Sequence, residues 1–199
     1  MKPSELYQIL EEKYPGHKVQ NVCMVDTSCK KNGFCPDVQA YPVLDFDEIK
    51  NDFCRGTITL SSVDAVCVDE LQKYFCFVEL KGWERYIKYI GKQRKSVAKT
   101  VSGYNLEGKL KDSQKLCMEI VADSVIFSDM PVFFLLVTDI DVKSHGIEAL
   151  AEMLDVLGET STDIYSQCIS ESGKVLDSEI LIGHKYIYCK EFDKVMATL

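Results

Sequence analysis

An α/β or α+β fold, with a central mixed sheet flanked by helices, is predicted by three features of the 199-residue chain. Residues 74–80 and 132–137 are apolar at successive positions, as strands are in the middle of a sheet covered on both faces. Segments with helical spacing of apolar residues stand before, between and after them. With 46% hydrophobic and 27% charged residues, the composition is that of an ordinary globular domain, and this length suits one compact unit.

The elements follow in order. Pro3 and Ser4 precede Leu6, Ile9, Leu10 and Tyr14, the spacing of a short amphipathic helix stopped by Pro15-Gly16. Residues 18–26 alternate as a strand does, and residues 26–37 are loop-like, with turn signals at Asn32-Gly33 and Pro36. Residues 44–53 carry Phe46, Ile49 and Phe53 at helical spacing, with Asp45 available as an N-cap and Gly56 as a terminator. Residues 57–70 are rich in β-branched side chains and connect through the short 71–73 turn to the strand at 74–80, which predicts a hairpin. Residues 83–101 have helical periodicity, 103–108 read as a loop, and a second helix is expected over 110–126 with Leu116, Cys117, Ile120, Val121 and Val125 inward. Pro131 precedes the strand at 132–137. Ser144 can cap a helix carrying Ile147, Leu150, Leu154 and Leu157, and strands are expected at 163–170 and 180–189 before a terminal turn. The chain thus reads as one domain over 1–199: an N-terminal extension (1–43), a core (44–138) and an acidic C-terminal part (139–199).

The net charge of −8 excludes a surface that is basic all over. Yet between Lys81 and Lys115 ten basic residues face three acidic ones, so a basic segment is set in an otherwise strongly acidic chain. Such a segment points to a polyanion site. The first ten residues hold one Lys and no apolar run, and no window reaches the roughly 18 apolar residues of a membrane span. No membrane association is expected, and a cytoplasmic location is. Nine scattered cysteines, an odd number, fit reduced core thiols better than a disulfide framework.

The chemistry concentrates at the end of the 74–80 strand. Period-2 geometry sends Glu79 and Lys81 to one face, and a half-buried carboxylate is costly unless it is paired or binds a metal. The hairpin brings Asp64 to the same end. Two converging carboxylates suit a hard divalent cation, which can activate water and neutralise charge on a phosphodiester beside a helping Lys. A surface Glu–Lys pair would carry the same letters; what favours a site is the segment that follows. There Arg85, Lys88, Lys92, Lys95 and Lys99 recur at steps of three and four and share one face of a helix, a stripe suited to phosphates.

The run Ser62-Val63-Asp64-Ala65-Val66-Cys67-Val68, a hairpin, and Phe77-Val78-Glu79-Leu80-Lys81-Gly82 resembles the core of the PD-(D/E)XK nuclease superfamily. The resemblance spans about 21 residues and implies a restriction-endonuclease-like core, with Asp64 and Glu79 as ligands of Mg²⁺ or Mn²⁺, the Leu80 carbonyl as a third ligand and Lys81 as the catalytic lysine. It also implies a Glu on the preceding helix, for which Glu48 is the candidate and Asp47 the alternative. The expectation is a metal-dependent nuclease acting on DNA. The alternative is a nuclease-like fold that is catalytically inactive and binds or assembles with a protein partner or a second copy; a small-molecule enzyme using the same carboxylates is a third.

Other motifs carry less. Cys23, Cys29 and Cys35, near His17, lack the close C-x-x-C pair that cluster and zinc sites usually show. Gln93 and Gln114 are read as polar surface before DNA contacts, and His145 and His184 as surface or packing residues. The chain has no Gly-rich phosphate loop, so an ATP-driven motor is not expected.

Overall fold

The computed structural model describes residues 1–26, 29, 40–55, 60–82, 103–139 and 181–199. Six strands form one mixed sheet in which spatial order follows chain order: β1 (Lys18–Val19), β2 (Val43–Asp45), β3 (Ala65–Val68), β4 (Phe75–Lys81), β5 (Val132–Thr138) and β6 (Gly183–Tyr188). β1 to β4 are antiparallel to their neighbours, whereas β4, β5 and β6 run parallel. With four described helices, α1 (Pro3–Lys13), α2 (Phe46–Cys54), α3 (Leu106–Val121) and α4 (Phe192–Thr198), the fold is α/β.

The alternation of β4 separates two cores. Phe75 and Phe77 point to one face, where Leu6 and Leu10 of α1, Ile49 of α2, and Leu106, Leu110, Leu116 and Cys117 of α3 cover them. Cys76 and Val78 point to the other, under Val22, Ile187 and the Phe192 and Met196 side chains of α4. Both faces are covered, which is why β4 and β5 are apolar throughout their middles.

Local chemistry sets the helix ends. α1 begins with Pro3, and the Glu5 carboxylate accepts a hydrogen bond from the Lys2 amide at 2.8 Å. α2 is capped by Asp45, whose carboxylate accepts from the Glu48 amide at 3.2 Å, as the sequence predicts. It ends at Arg55 in the left-handed region, with φ 44°. The hairpin between β3 and β4 is held by buried Asp69, which accepts from the amides of Leu71 (3.1 Å) and Tyr74 (2.6 Å).

Several expectations are corrected. The strand expected at 18–26 stops at Val19 and gives way to a 3₁₀ turn over Val22–Met24. Within the β-branched 57–70 segment the described ladder is Ala65–Val68, because residues 60–64 turn toward α3 instead of pairing. The helix expected over 110–126 starts four residues earlier and ends at Val121, leaving Val125 exposed. The region before Leu44 contributes α1 and β1 to the same core and sheet, and the terminal turn is the helix α4. Gln114, read as surface, is buried. The helices expected at 83–101 and from Ser144, the strand at 163–170, Gly56, Cys35 and His145 lie outside the described residues.

Of the described cysteines six are buried and Cys29 is partly so, consistent with core thiols. Among the described residues no helix is long and apolar enough to cross a membrane.

α3 ends on Ala122 with φ 55°, a conformation that costs an L residue about 1–2 kcal/mol. Ala122 is exposed, so a glycine there loses no packing. Ala122→Gly should stabilise the protein by roughly 0.5–1 kcal/mol, read as a rise in the urea midpoint at unchanged slope.

Candidate functional site

The antiparallel register pairs Ala65 with Val78, so one further step places Asp64 opposite Glu79. Glu79 ends the Phe75–Phe77 face of β4 and has no solvent exposure. Two ammonium groups reach its Oε1 at 2.6 Å each: Lys81, two residues on along the same face, and Lys109 from the first turns of α3. Lys109 Nζ is also 3.9 Å from Asp64 Oδ1, so a single ammonium bridges the two carboxylates. Asp64 Oδ2 in turn accepts a hydrogen bond from the Leu80 amide at 2.6 Å, which fixes the carboxylate against the end of β4. Lys81 Nζ lies 4.9 Å from the centre of the Tyr104 ring, a cation–π contact on a third side.

α3 places the cluster through one face. Lys109, Asp112 and Ser113 are spaced i, i+3, i+4 and so point the same way. Asp112 accepts from the Ser61 amide at 2.9 Å and the Ser113 hydroxyl from the Val63 amide at 3.0 Å. Both bonds hold the segment leading into Asp64, while the Phe46 amide donates to the Asp64 carbonyl at 3.0 Å. A Cβ at Gly108, beside Lys109, would sit 2.4 Å from the Asn105 side chain, which would have to swing aside.

The electrostatics follow from burial. Asp64 is pushed up to about 7, first by desolvation and then by the Glu79 charge, against the opposing pull of Lys109 and the Leu80 amide. Burial acts to lower the Lys109 pKa, but Glu79 and Asp64 outweigh it and hold the amine above its ordinary value. Glu79 Oε2 is buried and has no hydrogen-bond partner among the described residues. A bare buried carboxylate oxygen is expensive and asks for a further electropositive partner.

Asp64, Glu79 and Lys81 are therefore brought together. Glu48 is not among them: its side chain is exposed at the start of α2, where its amide serves the cap. Asp47 lies on the side nearer the cluster, accepts hydrogen bonds from Ser62 Oγ and Lys50, and contributes to the field at Lys109. The Leu80 side chain packs on the opposite core, and it is the Leu80 amide that reaches Asp64. Asp139, directly after β5, brings its Oδ2 to 3.6 Å from where a Cβ of Gly82 would stand. Arg85, Lys88, Lys92, Lys95, Lys99 and Gln93 lie outside the described residues.

Lys109 is the residue that sequence reasoning missed. Its signal was position: with the helix begun at Leu106, Lys109 falls beside the stripe Leu106, Leu110, Ser113, Cys117, where a cation has to find an acid. Cys23 is buried in the second core with Cys29 packed against the same cluster, Cys35 lies outside the described residues, and His17 pairs with Asp52 at 2.7 Å. Among the described residues no group of three or more His, Cys, Asp or Glu side chains is arranged to hold a metal ion. No protein-family model matches the chain, and no curated protein or solved structure matches it significantly.

Two outcomes are expected of this geometry. The folded-state pKa of Asp64 lies above its unfolded value, so the proton it retains stabilises the fold below pH about 4, and that contribution is lost as pH rises to about 7. Asp64→Asn should remove this term: in chelator, the stability of the variant relative to the parent should grow between pH about 4 and 7 and then level, and a pH-independent difference would refute the assignment. Ser113→Ala should cost about 1–3 kcal/mol in denaturant unfolding, because it orphans the buried Val63 amide.

Proposed function

We propose that this chain is a divalent-metal-dependent nuclease that hydrolyses phosphodiester bonds in DNA. The observation that carries the reading is the convergence of Asp64 and Glu79 on one ammonium at the end of a covered sheet, with Glu79 Oε2 bare among the described residues. That donor set is all oxygen, which suits Mg²⁺ or Mn²⁺, with waters and substrate phosphate completing the shell. Glu79 and Asp64 would hold the ion, with the Leu80 carbonyl as the third ligand that the resemblance to PD-(D/E)XK nucleases implies. A cation there lowers the pKa of bound water and offsets charge developing on the phosphate.

The chain's own groups would do the rest. Lys81, braced between Glu79 and the Tyr104 ring, is placed to orient the attacking water or to meet the phosphate charge. Arg85, Lys88, Lys92, Lys95 and Lys99, whose spacing in the sequence suits one helical face, would supply sequence-independent phosphate contacts, whose strength falls with added salt.

A specific observation favours a second reading, a nuclease-like module that is catalytically inactive and binds or assembles with a protein partner or a second copy. Two ammonium groups already face the two carboxylates, so the cluster is close to charge balance without any metal ion.

Incubation of purified protein with plasmid DNA and Mn²⁺ separates the two. Nicking or degradation is expected, at least about 100-fold weaker in Glu79→Ala. Cleavage that survives in that variant, or no cleavage with Mg²⁺ or Mn²⁺ on duplex or single-stranded DNA, would overturn the nuclease reading.

A further inference from the structure

Lys109 stands where a shared cation would have to stand. Its ammonium is 2.6 Å from Glu79 Oε1 and 3.9 Å from Asp64 Oδ1, between the only two carboxylates that the register of β3 and β4 sets opposite one another. We propose that Lys109 is a displaceable internal counter-ion: it occupies the divalent-cation position in the resting protein, and the cation enters by driving it out toward the substrate phosphate. This rests on reading the cluster as a divalent-cation site.

Two observations make Lys109, rather than Lys81, the group that leaves, and a third favours the departure of one of the two. Among the described residues Lys109 alone bridges both carboxylates, so its ammonium and a shared ion exclude one another. Lys81 is held on another side by the Tyr104 ring. The two ammonium groups press on the same oxygen, Oε1, while Oε2 has no partner among the described residues; removing one relieves a like-charge contact and lets the carboxylate share its oxygens with the incoming ion.

The consequence is a linkage between metal and phosphate. A +2 ion added beside both ammonium groups would leave the site with excess positive charge in a partly desolvated place. Displacement moves one of those charges outward, to a position where a phosphate oxygen can take it. Lys109 therefore weakens metal binding to the free protein and strengthens phosphate binding to the metal-loaded one.

The probe is Mn²⁺ alone, with free ion counted by electron paramagnetic resonance. Lys109→Gln, which keeps a hydrogen-bond donor for Glu79 and removes the charge, should bind Mn²⁺ on the order of tenfold more tightly than the parent or better. Tighter binding shows that the Lys109 charge opposes the ion, and the labelling below shows whether the ion displaces it. In the unaltered protein, saturating Mn²⁺ should speed acylation of Lys109 by an amine-reactive ester several-fold, read by peptide mass spectrometry, and this arm stands whether or not the variant folds. Equal or weaker Mn²⁺ affinity in Lys109→Gln, or unchanged labelling with Mn²⁺ bound, overturns the displacement. Where Glu79→Gln abolishes Mn²⁺ binding in that case, the cation site itself survives. Absence of Mn²⁺ binding from parent and variant alike would remove the metal-dependent reading along with it.

Discussion

The Glu79 carboxylate has no solvent contact, and two ammonium groups meet one of its oxygens. Taking these charges out of water costs several kcal/mol per ion in real proteins, and mutual attraction returns it only when every lone pair is satisfied. Here it is not, because Oε2 is bare among the described residues. A pair of apolar residues in the same volume would hold the end of β4 to α3 at lower cost. The arrangement is therefore poorly explained as a device for stability, and natural sequences depart from local consistency in this way chiefly at functional sites.

The surrounding architecture makes the cluster rigid. β4 lies between an antiparallel and a parallel neighbour, its apolar residues buried on both faces, so the position of Glu79 along it is fixed by two cores at once. α3 ties itself to the same end twice, through the ion pair of Lys109 and through the Asp112 and Ser113 bonds to residues 61 and 63. A shift of α3 along its axis would thus move Lys109 and the approach to Asp64 together. That coupling lets one helix place two of the four charged groups. It also explains why the 60–64 segment leaves the ladder: its amides find their acceptors on α3 instead of on a strand.

What the sequence made legible is what periodicity and turn chemistry encode. β4 and β5 showed as continuous apolar runs because their faces are both covered, and the Asp45 cap and the hairpin showed because they are local. The convergence of Asp64 with Glu79 and Lys81 followed from strand alternation and a short connection. Lys109 was hidden because its partners are 30 and 45 positions away in sequence, and because α3 begins on Asn105 in the left-handed region without a side-chain capping bond, an unusual start for a cap-type residue. The choice between Asp47 and Glu48 depended on the rotation of α2, about 100° per residue, which composition does not specify. Val125 was misplaced for a related reason: helical spacing continues past Val121, but the chain turns at Ala122.

The raised pKa of Asp64 and the bare oxygen of Glu79 have a common origin. Burial removes water from both carboxylates, and the available ammonium groups compensate them unequally: Glu79 receives two at contact distance through one oxygen, Asp64 one at 3.9 Å. A single ammonium donates in separate directions and concentrates one charge, so it cannot satisfy two carboxylates equally from a position closer to one. A divalent ion could serve both, because it carries twice the charge and keeps waters wherever protein oxygens are missing. The asymmetry of the lysine-bridged cluster is thus the physical reason that a cation of higher charge would find a favourable place there.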